Sequence, residues 1–196
     1  RMTRPHRLFG RDRETIDEAY PGDVVGLVNP GLFTIGDTLT SDPALTFDPI
    51  PHFAPECFGL LRTQDISKHK QFQKGLKQLE EEGVMQIFYS PDHVRREPVL
   101  AAVGELQFDV VMSRLENEYG VKTSVERLPH ALARWIVGDP ATISAVYWPS
   151  DTIRLVDQQG RGVMLFTTEH LLAYCIKSNP SIKFLLREEV EQTSAQ

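Results

Sequence analysis

The stretch Lys70-Gln71-Phe72-Gln73-Lys74-Gly75-Leu76-Lys77-Gln78-Leu79-Glu80-Glu81-Glu82-Gly83 decides the fold class of this 196-residue chain. Phe72, Leu76 and Leu79 recur at i, i+4 and i+7, which makes one apolar stripe of an α-helix. Asp65 is a capping residue upstream and Gly83 a stop signal, so the pattern predicts a helix from about 65 to 82. Before it, residues 58–62 read as a short strand. After it come strands at 84–89 and 99–103, joined by the polar loop 90–98. A second helix is expected over 105–119, with Leu106, Val110, Val111 and Leu115 inward and Gly120 at its end; a strand at 121–127 comes next. The order is β-α-β-β-α-β, the split βαβ arrangement of a ferredoxin-like domain.

The order recurs downstream. Residues 133–137 read as a strand and 140–148 as a short helix. A hairpin at 152–156 and 163–166 turns around Asp157-Gln158-Gln159-Gly160, and a helix at 168–178 leads to a strand at 182–186. The likeness between the two lobes is one of pattern, without a residue-level repeat. The polar tail from Glu188 is expected to fray. Upstream, the first 47 residues read as short strands broken by Pro21-Gly22-Asp23, Asn29-Pro30-Gly31 and Gly36-Asp37. That is too little chain to close a barrel, and it reads as if it starts in the middle of one. Pro43, Pro49, Pro51 and Pro55 mark a stiff linker. The expected class is therefore α+β, a partial β-barrel segment followed by a ferredoxin-like domain with a second, similar α+β lobe. The expected boundaries are 1–50 for the barrel part, 56–128 for the first lobe and 129–190 for the second.

Composition excludes several classes. A hydrophobic fraction of 41% and a charged fraction of 24% are ordinary for a globular protein. No run reaches the roughly 18 apolar residues of a membrane span, so the chain reads as cytoplasmic. Cys57 and Cys175 lie far apart in apolar settings, without a CxxC or zinc spacing; two reduced thiols or one disulfide are both compatible with that. No metal site is expected. Net charge is −6, yet Arg1, Arg4, Arg7, Arg11 and Arg13 face only Asp12 in the first thirteen residues. Such asymmetry fits a nucleic-acid contact or a charged edge strand equally.

Catalytic motifs are missing from this stretch of sequence. It contains no GxxxxGK[ST] to cradle phosphates, no GxSxG and no HExxH. An acylphosphatase-like reading of the ferredoxin-like lobe fails at Thr63-Gln64-Asp65-Ile66, which lacks glycine and arginine and places Asp65 where an anion would sit. No catalytic or cofactor-binding residue is expected here. Lys70, Lys74 and Lys77 share one helical face opposite the apolar stripe. They suit an RNA backbone as point charges, or are simply a solvated face eased by Glu80, Glu81 and Glu82. Arg95 and Arg96 in the loop are equally ambiguous, with Glu97 beside them. Gly104-Glu105-Leu106-Gln107-Phe108 reads as a strand-to-helix turn that needs glycine, with Glu105 suited to the helix N-terminus.

Several segments together resemble the peptide chain release factor 3 family, the translational GTPases of bacterial termination. Glu18-Ala19-Tyr20-Pro21-Gly22-Asp23 and Ile35-Gly36-Asp37-Thr38 look like the second half of that family's domain II barrel. Phe53-Ala54-Pro55-Glu56, Lys70–Leu76 and Glu81-Glu82-Gly83 look like entry to its domain III. Gly104-Glu105-Leu106-Gln107-Phe108-Asp109-Val110-Val111 and Arg114-Leu115 match that domain's next helix, with Ala133-Arg134-Trp135 beyond it. Elongation factor G has a similar Gly-Glu-Leu turn, but the Gln-Phe-Asp-Val continuation and Ala-Arg-Trp point to the release factor. The resemblance covers residues 16–137 closely and the remainder loosely. It implies a ribosome-binding C-terminal portion of a longer protein that binds GTP or GDP through its own N-terminal GTPase domain. Its implied partners are small-subunit RNA and proteins of the ribosome, and class I release factors. Lys70, Lys74, Lys77, Arg95 and Arg96 become the implied ribosome contacts. The competing reading is a free-standing RNA- or protein-binding adaptor of ferredoxin-like lobes.

Overall fold

A computed structural model describes residues 5–9, 12–29, 32–33, 35–47, 53–91 and 97–194. The chain divides into two compact units, Arg1–Ile50 and Pro51–Gln196.

In the first unit, β1 (His6–Phe9) and β2 (Asp12–Thr15) pair antiparallel with His6 opposite Thr15. His6 also exchanges backbone hydrogen bonds with Gly26 at 2.9 and 2.7 Å. Tyr20-Pro21-Gly22-Asp23 forms the expected turn: Gly22 takes φ +96°, and Asp23 N donates to Tyr20 O at 2.9 Å. The Asp23 carboxylate accepts from Tyr20 N and from Arg7. Among the described residues, the further strands expected around 24–28 and 33–39 reduce to that single bridge at Gly26. Among the described residues of this unit no side chain is fully buried and no barrel closes; Val24 is 82% exposed. An alternating apolar pattern makes a ladder only against a second apolar surface, and these residues meet none here.

The second unit is α+β, with two antiparallel four-stranded sheets. In the first, β3 (Cys57–Thr63), β4 (Gln86–Phe88), β5 (Val99–Ala102) and β6 (Thr123–Leu128) lie in the order β4-β5-β3-β6. The second combines β7 (Leu132–Val137), β8 (Thr152–Val156), β9 (Gly162–Phe166) and β10 (Lys183–Leu185) in the order β10-β7-β9-β8. Helices α1 (His69–Glu81) and α2 (Leu106–Tyr119) cover the first sheet. Helices α3 (Pro140–Ala145) and α4 (Glu169–Ser178) cover the second.

The alternation along each strand shows how the layers stack. Leu61, Ile87, Leu100 and Ala102 pack under α1 and α2 with Phe72, Leu76, Leu79, Phe108 and Leu115. Their neighbours Phe58, Phe88, Val99 and Ala101 point the other way. They meet Ala133, Trp135, Leu155, Val163 and Leu165 of the second sheet. The remaining face of that sheet, with Ile136, Met164 and Phe166, lies under α3 and α4. The two sheets therefore pack face to face between outer helices. Strands β5 and β9, buried on both faces, are accordingly the unbroken runs Val99-Leu100-Ala101-Ala102 and Val163-Met164-Leu165-Phe166. At one corner the sheets are stitched by reciprocal backbone bonds of 2.8 Å between Tyr89 and Val156.

Three expectations need correcting. On α2 the buried face is Phe108, Val111 and Leu115, while Leu106 is 78% and Val110 47% exposed. At 100° per residue, 108, 111 and 115 share a stripe, while 106 and 110 fall roughly 130 to 170° away from it, on the outer side of the helix. Helix α3 stops at Ala145, because Val146 turns extended and Trp148 packs edge-on to Phe184 at 6.1 Å. The tail does not fray at Glu188. Residues Arg187–Ser194 form helix α5, whose start is tied by Leu186 N donating to Glu189 at 2.6 Å and whose Val190 inserts between the sheets.

Candidate functional site

Asp65 accepts from Ser67 N at 2.9 Å and caps a single 3₁₀ turn, Ile66–Lys68, that leads into α1. This sets the rotation of α1, so Lys70, Lys74 and Lys77 all stand exposed on its outer side. They are not equivalent. Lys77 faces Glu81 one turn on at 3.6 Å, whereas among the described residues no carboxylate pairs with Lys70 or Lys74. Lys68, at the helix entrance, donates to Gly120 O at 2.6 Å and closes the end of α2. Arg95 and Arg96 lie outside the described residues.

The helical flank beside the lysines borders a cavity of about 760 Å³. His69 and Gln73 supply its α1 wall, and Tyr89 and Ser90 come from the end of β4. The β8–β9 hairpin closes it with Asp157, Gln158 and Gly160. The sequence marks Asp157-Gln158-Gln159-Gly160 as a turn, but only the packing of the two lobes shows what it faces. Asp157 is buried and accepts from Trp135 Nε1 at 2.8 Å, Arg161 N at 2.9 Å and Arg161 Nε at 2.6 Å. Gly160 takes φ +77° to tighten that turn. Behind the hairpin, Glu80 of α1 accepts from Ile87 N at 3.2 Å and from Gln158 Nε2. Burial pushes the Glu80 carboxyl up to about 7, although these hydrogen bonds work against the rise.

The Gly104–Phe108 turn is structural, but not for the expected reason. Gly104 keeps an ordinary φ, and a Cβ there would meet nothing within 4 Å. Gln107 holds the turn instead: its Oε1 accepts from Val103 N at 2.7 Å and Gly104 N at 3.2 Å, and its Nε2 donates to Val84 O at 2.9 Å. Glu105 faces Arg127 at 3.7 Å, and the Arg127 guanidinium lies 4.4 Å from the centre of the Phe108 ring. Both cysteines are free, and burial pushes the Cys175 thiol up.

Most of this two-sheet unit falls within a known domain. Residues 47–176 match the family model described as class II release factor RF3, C-terminal domain, which is more than half of the chain. The chain belongs to the class II release factor RF3 family. Residues 1–42 match the model for elongation factor G domain 2. Relatives named peptide chain release factor 3 include that of Nostoc punctiforme, 48% identical over 183 residues, and that of Synechococcus elongatus, 49% identical over 183 residues. A third, from Gloeobacter violaceus, is 48% identical over 185 residues. The alignments cover 93 to 94% of this chain but 33 to 35% of each relative, so the chain spans about a third of their length, in the C-terminal portion. Within this release factor family member, Arg114 holds α1 to α2: its guanidinium binds Glu118 at 2.6 and 2.9 Å and also Glu82, and it holds both carboxyls below their usual range. The Arg-Leu pair read from sequence thus serves the helix packing, with Leu115 in the core. No helix among the described residues is long and apolar enough to cross a membrane.

Proposed function

We propose that this chain is the ribosome-binding C-terminal portion of a peptide chain release factor 3. As a full-length GTPase, that protein promotes dissociation of class I release factors from the ribosome in the cytoplasm. The observation that carries the reading is the match of residues 47–176 to the release factor's C-terminal domain. GTP or GDP would bind the N-terminal GTPase domain of the whole protein; the sequence here contains no phosphate-cradling GxxxxGK[ST]. Residues 1–50 are the C-terminal part of the domain II barrel, a reading supported by the elongation factor G domain 2 match. Residues 56–128 and 129–190 are two lobes of domain III. Each is ferredoxin-like, which the strand orders β4-β5-β3-β6 and β10-β7-β9-β8 support, since both place the fourth strand beside the first and the third beside the second.

Docking on ribosomal RNA needs cations that are free to neutralise phosphate. Lys70 and Lys74 serve this role best, Lys77 less because Glu81 faces it; Arg95 and Arg96 are assigned to the same surface from the sequence alone. The test is co-sedimentation of the chain with small ribosomal subunits across a salt series. Binding that weakens steeply with salt is expected. Replacing Lys70, Lys74 and Lys77 together by glutamine should weaken it and flatten the salt dependence, with thermal stability nearly unchanged. Failure to co-sediment even at low salt would overturn the reading.

A further inference from the structure

Resting on that ribosome-docking reading, we propose that the cavity between α1 and the β8–β9 hairpin seats a single unpaired RNA base, with the adjoining phosphates on Lys70 and Lys74. Three features converge on this occupant. The volume of about 760 Å³ has room for a nucleobase and its ribose. Its walls combine a half-buried aromatic, Tyr89, with the side-chain amide of Gln73 and the imidazole of His69. A base presents the matching chemistry: a flat apolar face for an aromatic side chain and an edge of mixed donors and acceptors for an amide. Finally, Lys70 and Lys74 come one residue after His69 and Gln73 respectively, so exposed positive charge runs along α1 about 100° round the helix from the cavity wall.

Other occupants fit less well. Among the described lining residues, a free phosphate or nucleotide anion inside the cavity would meet no lysine or arginine, and it would lie near the carboxyl groups of Asp157 and Glu80. A metal ion would have to take Asp157 from the three donors that already satisfy it. A double helix cannot enter such a concavity. A single-stranded RNA puts its neutral base inside and its charge outside on the lysines, and so matches both halves of the surface.

The test uses the 196-residue chain and two labelled RNA decamers, oligoadenylate and its abasic counterpart, measured by fluorescence anisotropy at low salt. Oligoadenylate should bind about tenfold tighter than the abasic strand, as expected for one stacked base. Tyr89→Leu, which keeps an apolar group against the core, and Gln73→Ala should each bring that ratio close to one, with melting temperatures confirming that both variants fold. Replacing Lys70 and Lys74 by glutamine should weaken both strands alike and keep the ratio. Equal affinity of the wild type for the two strands, no binding of either, or a ratio that survives both cavity variants would each overturn the proposal. If the cavity variants weaken binding to small subunits but the wild type shows no base preference, the occupant is a protein side chain and the RNA assignment falls. Wild-type binding to small subunits is read separately, so docking can hold while the base seat fails.

Discussion

At the residue scale, Glu80 makes a sharp prediction because its partners and its burial pull in opposite directions. Its folded-state value of about 7 lies above the ordinary 4.5, so the folded protein keeps this proton longer than the unfolded chain does. Stability from this group is therefore fully present below about pH 4.5 and declines as pH rises to about 7, beyond which it is level. Glu80→Gln can still accept from Ile87 N and pair with the Gln158 amide, so it should remove the slope. Urea unfolding at about pH 5, 6, 7 and 8 should show the variant gaining on the wild type up to about pH 7 and then running parallel; a difference that is constant with pH would refute the assignment. His130 acts in the opposite sense. Burial holds its ring below the ordinary 6.5, so its contribution is full above that pH and is lost as pH falls below it. The two slopes oppose each other near pH 6, which is why the comparison must be made variant against wild type. Gln107 is the second residue with a measurable role. Truncation to alanine strips two backbone N–H groups and one carbonyl of their partner at a half-buried turn, which should cost about 1–3 kcal/mol in chemical denaturation. From sequence, Gly104 looked like the cause of this turn; the glutamine three residues on could have been suspected from its side-chain reach alone, but not its bond to Val84.

At the scale of elements, α1 and α2 cross where Gly75 faces Leu115 and Tyr119. A Cβ on Gly75 would come within 2.7 Å of Leu115 Cδ2 and 3.0 Å of the Tyr119 ring. Alanine would raise helix propensity by about 1 kcal/mol. The crowding should outweigh it, because overpacking a filled core costs about 1–3 kcal/mol and Leu115, fully buried, and the Tyr119 ring would both have to give way. Gly75→Ala should accordingly lower the melting temperature; a rise would mean that the helix pair opens without strain. Element existence was readable for a simple reason. Phe72, Leu76 and Leu79 carry a helical period, and Gly83 and Gly120 stop their helices at φ +69° and +67°. Facing was misread at Leu106 and Val110, which share an i, i+4 face of their own opposite the buried stripe; apolar character was followed there instead of the helical period. Among the described residues, the strands expected around 24–28 and 33–39 did not form, for the complementary reason: a local alternation cannot report whether an opposing surface is present.

At the scale of the molecule, the second unit hangs on the layer between its sheets. Phe88 meets Trp135 edge-on at 5.7 Å, and Val190 of α5 enters the same layer. Phe88→Ala should cost about 3–5 kcal/mol and lower the unfolding of both lobes together. Near-ultraviolet circular dichroism, which reads Trp135 and Trp148 of the second lobe, should then coincide with the far-ultraviolet transition. Two separate transitions would show that the lobes fold independently. Sequence alone supplied the order of elements from β3 to β10, the ends of α1 and α2 and the family, because period, capping chemistry and motif strings are local properties of the chain. It also marked Lys70, Lys74 and Lys77 as one face, since that needs only the pitch of a helix. Only the tertiary structure decided that the two sheets lie face to face, that Val190 anchors the tail, and that Glu80, Gln158 and the Asp157 hairpin meet beside a cavity. Those residues are far apart along the chain, and nothing in a local pattern states which of two apolar faces will find the other. Burial between the sheets makes that choice, because each sheet has a second apolar face that the helices leave uncovered.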